Sequence, residues 1–342
     1  MIKRFIASLL FFLLALYYIP IFMSSPDYSQ PKIETNQQTM SLEIDGVYPL
    51  PVSGYEHYLG QSVADYQSRY GDPEHMITSE QDPQTSWWSY LENSHEYVQI
   101  EVNNQEIQSI FVLGDAINTG SLKIGMSREN VLDETQLGEQ FMFSHSDRMY
   151  RLTLSKRNME LFPLVEFDNQ SFAILYFYPD RDEIYAIRYL TYEKILGLNY
   201  YFIEEMNSDE EGISIKNRNR LANDQINQAM LEEYINVLRL NANLAPYPHI
   251  DEGRSIVNDL LRDDTIDFQS YKELTSYRHP EFPDQAFKLK YMSGTQVYDP
   301  AMKFGLFYST KENQRIVLNE NNQDMSIAIE DDNLLLFVNE SK

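Results

Sequence analysis

Two phrases of this chain carry the same punctuation: GQSVADYQSRYGDP at residues 60–73 and IGMSRENVLDETQLG at residues 124–138. In the first, Ser62 is placed to cap an opening helical turn, with Asp65 three residues on. Gly71 suits a left-handed stop and Pro73 forbids continuation, so a short helix is expected between them. In the second, Ser127 stands at the same distance from Gly125 as Ser62 from Gly60, and the phrase closes at Leu137-Gly138. The same short helix is expected twice.

Each helix precedes strands. In the first copy, residues 87–91 lead. Residues 97–102 then alternate, turn at Asn103-Asn104 and return as residues 107–113. In the second copy, residues 172–178 turn through Pro179-Asp180-Arg181-Asp182 and return as residues 184–190. The lead-ins correspond too, Glu92-Asn93 against Asp168-Asn169. Two tandem α-β-β-β units over residues 55–196 are the simplest account, and they imply an α+β domain with antiparallel sheets.

The Gly125-Met126-Ser127 triplet is half of a nucleophile elbow, but no G-x-S-x-G follows and no histidine stands in support. Ser62 and Ser127 therefore read as helix caps. Trp87-Trp88, at a strand start, suits a sugar or peptide ligand, while strand alternation sends at least one of the two into the core.

The G-x-S opening closed by G-x-P, the W-W-x-Y strand and the second phrase, I-G-M-S, resemble the CAP-associated N-terminal domain. That domain precedes a CAP domain (cysteine-rich secretory, antigen 5 and pathogenesis-related-1) in bacterial surface proteins. The resemblance implies an extracytoplasmic accessory domain of unassigned biochemical role over residues 55–196.

Residues 197–220, an acidic loop followed by Lys216, Arg218 and Arg220, read as a connector. A helix follows from Leu221, with Ile226, Met230, Tyr234, Val237 and Leu238 on one face. The stretch YINVLRLNANLAP at residues 234–246 is similar to the first helix of a CAP domain, where N-x-x-R precedes a G-L-x-P-L turn. Asn236 and Arg239 fall on N-x-x-R, Leu244 and Pro246 on the turn, and residues 256–261 on the second helix. CAP proteins place a His in that second helix, a Glu in a later G-E-N phrase and another His beyond, around a cavity that can hold a metal. Here GRSIVNDLL at residues 253–261 has no His, G-E-N does not occur, and the remaining C-terminal histidines, His249 and His279, each stand beside a proline. The resemblance thus implies a degenerate CAP-like, α/β sandwich-like domain over residues 221–342, with no metal, cofactor or catalytic residues expected. Strands are expected at residues 287–292, 303–308, 315–318, 325–329 and 334–338.

At the other end, MIKRFIASLLFFLLALYYIPIFM (residues 1–23) places Lys3 and Arg4 before 19 uncharged residues. A bilayer core of about 30 Å needs about 20 apolar residues in a helix, so this run is long enough to span. It also has the layout of a secretory signal, but the −3 candidates around Ser24 and Ser25 are the large Phe22 and Met23. An uncleaved anchor is expected, with Pro20 as the contrary sign. Lys3 and Arg4 would remain cytoplasmic and everything beyond residue 25 would lie outside. Residues 24–54, rich in Pro, Ser, Gln, Asn and Thr, read as a tether.

Composition narrows the function. The net charge of −25 over 342 residues repels nucleic acid, which is excluded as a partner. No cysteine is present, which removes thiol catalysis, lipid-modified cysteine and Cys-type zinc. With 43% hydrophobic residues, 25 Tyr and 18 Phe, stability must come from core burial. Acidic clusters such as residues 208–211 and 330–332 lack the register of a calcium loop.

Three readings follow. The expected one is a membrane-anchored, extracytoplasmic, non-catalytic binding or adaptor protein of the cell envelope. Its partner would be an envelope protein or a cell-wall component, met at tyrosine-rich strands and an interdomain cleft. The alternative is an envelope hydrolase acting on wall peptide or glycan through a carboxylate pair about 5–10 Å apart, for which the sequence names no candidates. A sensor would need a membrane partner, since only residues 1–4 would lie inside.

Overall fold

The computed structural model describes residues 48–80, 82–206, 224–248, 251–280, 287–294, 297, 299–330 and 332–340. The anchor expected at residues 1–23, most of the tether at 24–54 and most of the connector at 197–220 lie outside them. Among the described residues no helix is long and apolar enough to cross a membrane.

After a 3-10 turn at Tyr55–Tyr58, the first half runs α1 (Val63–Tyr70), β1 (His75–Thr78), β2 (Thr85–Tyr90), β3 (Val98–Asn103) and β4 (Glu106–Val112). The second half runs α2 (Arg128–Glu134), β5 (Gln140–His145), β6 (Arg148–Thr153), α3 (Lys156–Leu161), β7 (Leu164–Phe167), β8 (Ser171–Phe177) and β9 (Ile184–Thr191). A short α4 (Tyr192–Gly197) and β10 (Phe202–Glu205) follow. Seven strands form one antiparallel sheet in the order β1-β2-β3-β4-β9-β8-β7. From the β4–β9 seam outward, β4-β3-β2 on one side mirrors β9-β8-β7 on the other.

The mirror extends to single hydrogen bonds. The Gly60 N–H donates to the Ile107 carbonyl and the Gly125 N–H to that of Ile184, both at 2.8 Å. The N–H groups of Ile107 and Ile184 return bonds of 3.0 Å to Gln61 and Met126. Gly60 and Gly125 hold φ of +72° and +87°, a left-handed conformation that side chains with a Cβ resist. Ser62 and Ser127 then cap their helices, accepting from the Ala64 and Asn130 N–H groups. Each hairpin also carries the same bulge, which skips Gln108 in β4 and Tyr185 in β9. The equivalence of Ile107 with Ile184 carries Phe111 onto Arg188, and these two are themselves cross-strand partners. The pseudo-twofold therefore passes through that pair.

Several features of this part were not anticipated, among them β1 and β10, the latter inside the expected connector. The β5–β6 hairpin and α3 are inserted between the second helix and its strands, and β6 also pairs with β10. β7 is the counterpart of β2. Leu50, expected in the tether, instead forms a parallel bridge to Phe167, with the Leu50 N–H bonded to the Glu166 carbonyl at 2.8 Å, and covers the edge of β7.

The C-terminal half has α5 (Asp224–Asn241), α6 (Asp251–Leu261), β11 (Thr275–Tyr277), β12 (Phe287–Met292), α7 (Pro300–Tyr308), α8 (Lys311–Val317), β13 (Asn322–Glu330) and β14 (Asn333–Glu340). Its sheet runs β11-β12-β14-β13. The strands expected at residues 287–292, 325–329 and 334–338 are present, but those expected at 303–308 and 315–318 are helices. α7 starts from an Asp299 cap that accepts the Met302 N–H, with Pro300 in its first turn. It is buried on nearly every side, so its apolar run has no helical period to read. α8 starts from a Thr310 cap that accepts the Asn313 N–H.

The seven-stranded sheet is buried on both faces. Ile100, Ile110, Val165, Leu175 and Ile187 point to the face covered by α1, α2 and the 3-10 turn. Phe111, Ile174, Tyr176 and Tyr185 point to the face shared with α5 and α7. Gly305 of α7 lies so close to the Tyr176 ring that a Cβ there has no room.

Candidate functional site

The boundary between the two halves is packed shut. One apolar cluster runs without a break from Tyr97, Phe111 and Tyr176 of the sheet to Met230 and Tyr234 of α5 and Phe304 and Tyr308 of α7. The strand tyrosines Tyr97, Tyr176, Tyr185 and Tyr189 are buried. The expected contact surface of tyrosine-rich strands and interdomain cleft is thus corrected: these rings fill the core because both faces of their sheet are covered.

The charged groups inside that boundary are paired, while the hydroxyls of Tyr185 and Tyr308 are buried there with no hydrogen-bond partner. Arg188, 1% exposed, donates from Nη2 to Asp299 Oδ2 at 2.6 Å, to Ser109 Oγ at 3.0 Å and to Glu101 Oε2 at 3.4 Å. Lys194 pairs with Glu101 and approaches Asp299 Oδ2 to 3.5 Å, giving two cations against two carboxylates. Burial opposes ionisation of Asp299, but Arg188 and then Lys194 outweigh it and hold the carboxyl at about 2. Alongside, Tyr97 Oη donates to Glu233 Oε1 at 2.8 Å, and Gln99 joins Tyr97 at 3.3 Å and the hydroxyl of Tyr234.

The open concavity lies on the opposite face of the sheet. There the 3-10 turn, α1, the end of β2 and residues 116–118 enclose a groove of about 790 Å³. Tyr55, Tyr58, Tyr66, Tyr70 and Tyr90 line it. Their spacing follows the local structure, since Tyr55 and Tyr58 share one side of a 3-10 turn and Tyr66 and Tyr70 one side of α1. Ring centroids lie 4.5 Å apart for Tyr66 and Tyr70, 5.1 Å for Tyr58 and Tyr66, and 5.3 Å for Tyr66 and Tyr90. The hydroxyls of Tyr58 and Tyr70 are 3.1 Å apart. Arg69 lies over two of the rings, its guanidinium carbon 5.9 Å from the Tyr58 centroid and 5.6 Å from that of Tyr70.

Glu74, Glu92 and Glu96 complete the walls. Tyr90 is only 8% exposed, and its hydroxyl is buried with no hydrogen-bond partner. Burial, helped by Asp72 and Glu74, pushes the Tyr90 phenol up to about 12. Burial first, then Tyr70, does the same for Tyr58. Both stay protonated at neutral pH and can donate as well as accept.

The residues weighed in the sequence take other positions. Trp87 is buried, and Trp88 is half-buried with its Nε1–H bonded to Ser86 Oγ at 2.9 Å, so they present no paired ring face. Asn236 holds the Tyr247 backbone through bonds of 2.8 and 3.3 Å. Arg239 donates to the carbonyls of Ala245, Val317 and Asn319 and lies over the Tyr247 ring. The N-x-x-R phrase therefore clamps the turn after α5. His279 lies beside the rings of Tyr277 and Phe287, and His249 is outside the described residues. Among the described residues no group of three or more His, Asp or Glu is placed to hold a metal.

The groove tyrosines were not singled out from sequence. Their signal is present as aromatic residues at i, i+3 and i, i+4 spacing, but a core stripe has the same spacing.

Comparison with known proteins agrees with this architecture. Residues 59–201 match the family described as CAP-associated N-terminal. The membrane protein YlbC of Bacillus subtilis is 20% identical over 278 residues, 75% of this chain and 78% of the relative. An extracellular SCP-domain protein from Bacillus anthracis superposes with a TM-score of 0.68 at 15% identity, over 91% of this chain and 99% of that one. A cysteine-rich secretory protein from Staphylococcus aureus gives 0.69 at 16% identity, over 86% of this chain and 98% of that one. Residues 59–201 thus carry the CAP-associated N-terminal match, within a mixed α+β, CAP-like fold shared with these SCP-domain proteins.

Proposed function

We propose that this protein is a non-catalytic binding protein of the bacterial cell envelope, held at the membrane by residues 1–23, whose recognition surface is the tyrosine-lined groove. The observation that carries the reading is the groove itself, with five aromatic rings around one concavity. Tyrosine offers a large contact area with little side-chain entropy to lose, which suits a binding surface. The naming of YlbC as a membrane protein and of a structural neighbour as extracellular supports the location.

A hydrolase draws less support. Burial raises the carboxyls of Glu166 and Asp324, as a general acid requires, but Glu166 is bonded to Tyr192 and Asp324 to Asn339. Neither lines the groove.

The test is capture from crosslinked membranes by the full-length protein and by its Tyr58→Leu/Tyr70→Leu variant. A protein partner retained by the first and lost by the second, at unchanged thermal stability, is expected. Recovery of wall fragments that shorten with time would overturn the non-catalytic reading.

A further inference from the structure

We infer that the tyrosine groove receives a cationic side chain, a lysine or arginine carried on an extended segment of a partner protein. This rests on the groove being the recognition surface, as proposed above. Aromatic ring faces are the negative ends of their quadrupoles and attract cations. Here Tyr58 and Tyr70 already hold one, since the exposed Arg69 guanidinium lies over both. The side chain the groove would accept is thus represented by one of its own.

Charge points the same way. Glu74, Glu92 and Glu96 line the walls against the single cation of Arg69, within a chain of net charge −25. An anionic ligand would meet these carboxylates unfavourably, whereas a cation is steered in. Tyr90 adds a further ring to the same lining.

A polypeptide, rather than a free amine, follows from size and from the adjoining edge. The groove of about 790 Å³ exceeds what one amine fills, and β1 begins at the residue after Glu74. Among the described residues β1 is the last strand of its sheet and pairs only with β2, so backbone donors and acceptors adjoin the groove. An extended segment can use both, main chain along the strand and side chain among the rings.

The test is fluorescence anisotropy with the full-length protein and two labelled dodecapeptides, one alternating Lys with Gly and one alternating Glu with Gly, with spermidine as competitor. The lysine peptide should bind and the glutamate peptide should not. Binding should weaken as salt rises from about 50 to 500 mM. Tyr58→Leu/Tyr70→Leu, which leaves net charge unchanged, should weaken it about tenfold or more. Arg69→Gln should tighten it about two- to fivefold by removing the resident competitor.

No binding of the lysine peptide, equal binding of the two peptides, or indifference to the tyrosine changes would overturn the inference. Spermidine competing on equal terms would overturn the peptide as its source. The membrane capture separates the two levels. If the tyrosine variant loses its partner there while lysine peptides fail to bind, the groove stands and the cation falls. If capture is unchanged, both fall.

Discussion

Arg188 of β9 is bonded to Asp299, the N-cap of α7, so one side chain joins a seam strand of the duplicated sheet to the first turn of a C-terminal helix. Arg188 is also the pseudo-twofold counterpart of Phe111, its own cross-strand partner. The duplication is broken at its axis. One copy places a phenyl ring in the core and the other an arginine that reaches across the boundary.

Arg188→Ala should cost about 3–5 kcal/mol, because it leaves Asp299 and Glu101 buried against Lys194 alone. Arg188→Met combined with Asp299→Asn should recover a large part of that loss, since it removes charge from both sides. Urea unfolding of the single and double variants reads the difference. A double variant as unstable as Arg188→Ala would mean that the ion pair itself, rather than its unmatched remnant, carries the energy.

The same pair sets an acid dependence. The Asp299 carboxyl titrates at about 2 in the folded chain against 3.8 for an ordinary aspartate, so the folded state binds fewer protons between those values. Its contribution is therefore present above about pH 4 and lost as pH falls through the lowered folded-state value. Asp299→Asn should flatten this segment of the stability profile. Parallel profiles for the two proteins between pH 2 and 5 would reject the assignment.

Ser62→Ala and Ser127→Ala should each destabilise by about 1 kcal/mol, since each serine accepts one N–H at the start of an equivalent helix. The sites share no partner, so the losses should add in the double variant. Thermal melts of the three variants check both size and additivity.

Arg239→Lys should destabilise despite keeping the charge, by about 1–3 kcal/mol. A lysine ammonium cannot serve the carbonyls of Ala245, Val317 and Asn319 in the fork geometry that the guanidinium provides. Amide exchange near Tyr247 and Asn319 should rise with it. An unchanged exchange pattern would remove Arg239 from its role as the clamp.

The sequence by itself determined what is local: the caps Ser62 and Ser127, the glycines that stand before them, a hairpin turn expected at Asn103-Asn104 that falls one residue later at Asn104-Gln105, and the amphipathic face of α5. Each depends on residues a few positions apart, so their chemistry can be read along the chain. The resemblance to the CAP-associated N-terminal domain rested on such local phrases, and residues 59–201 match that family. Residues 303–308 read as strand for the opposite reason. A helix buried on all sides has no polar face, and its identity was decided by the sheet and α5 packed around it. Only tertiary structure chose which tyrosines fill the core and which surround the groove. Tyr97 and Tyr176 stand on a sheet face covered by α5 and α7, while Tyr58, Tyr70 and Tyr90 meet where a turn, a helix and a strand end converge. No local pattern encodes that convergence, because the segments that form it are joined only when the sheet closes beneath them.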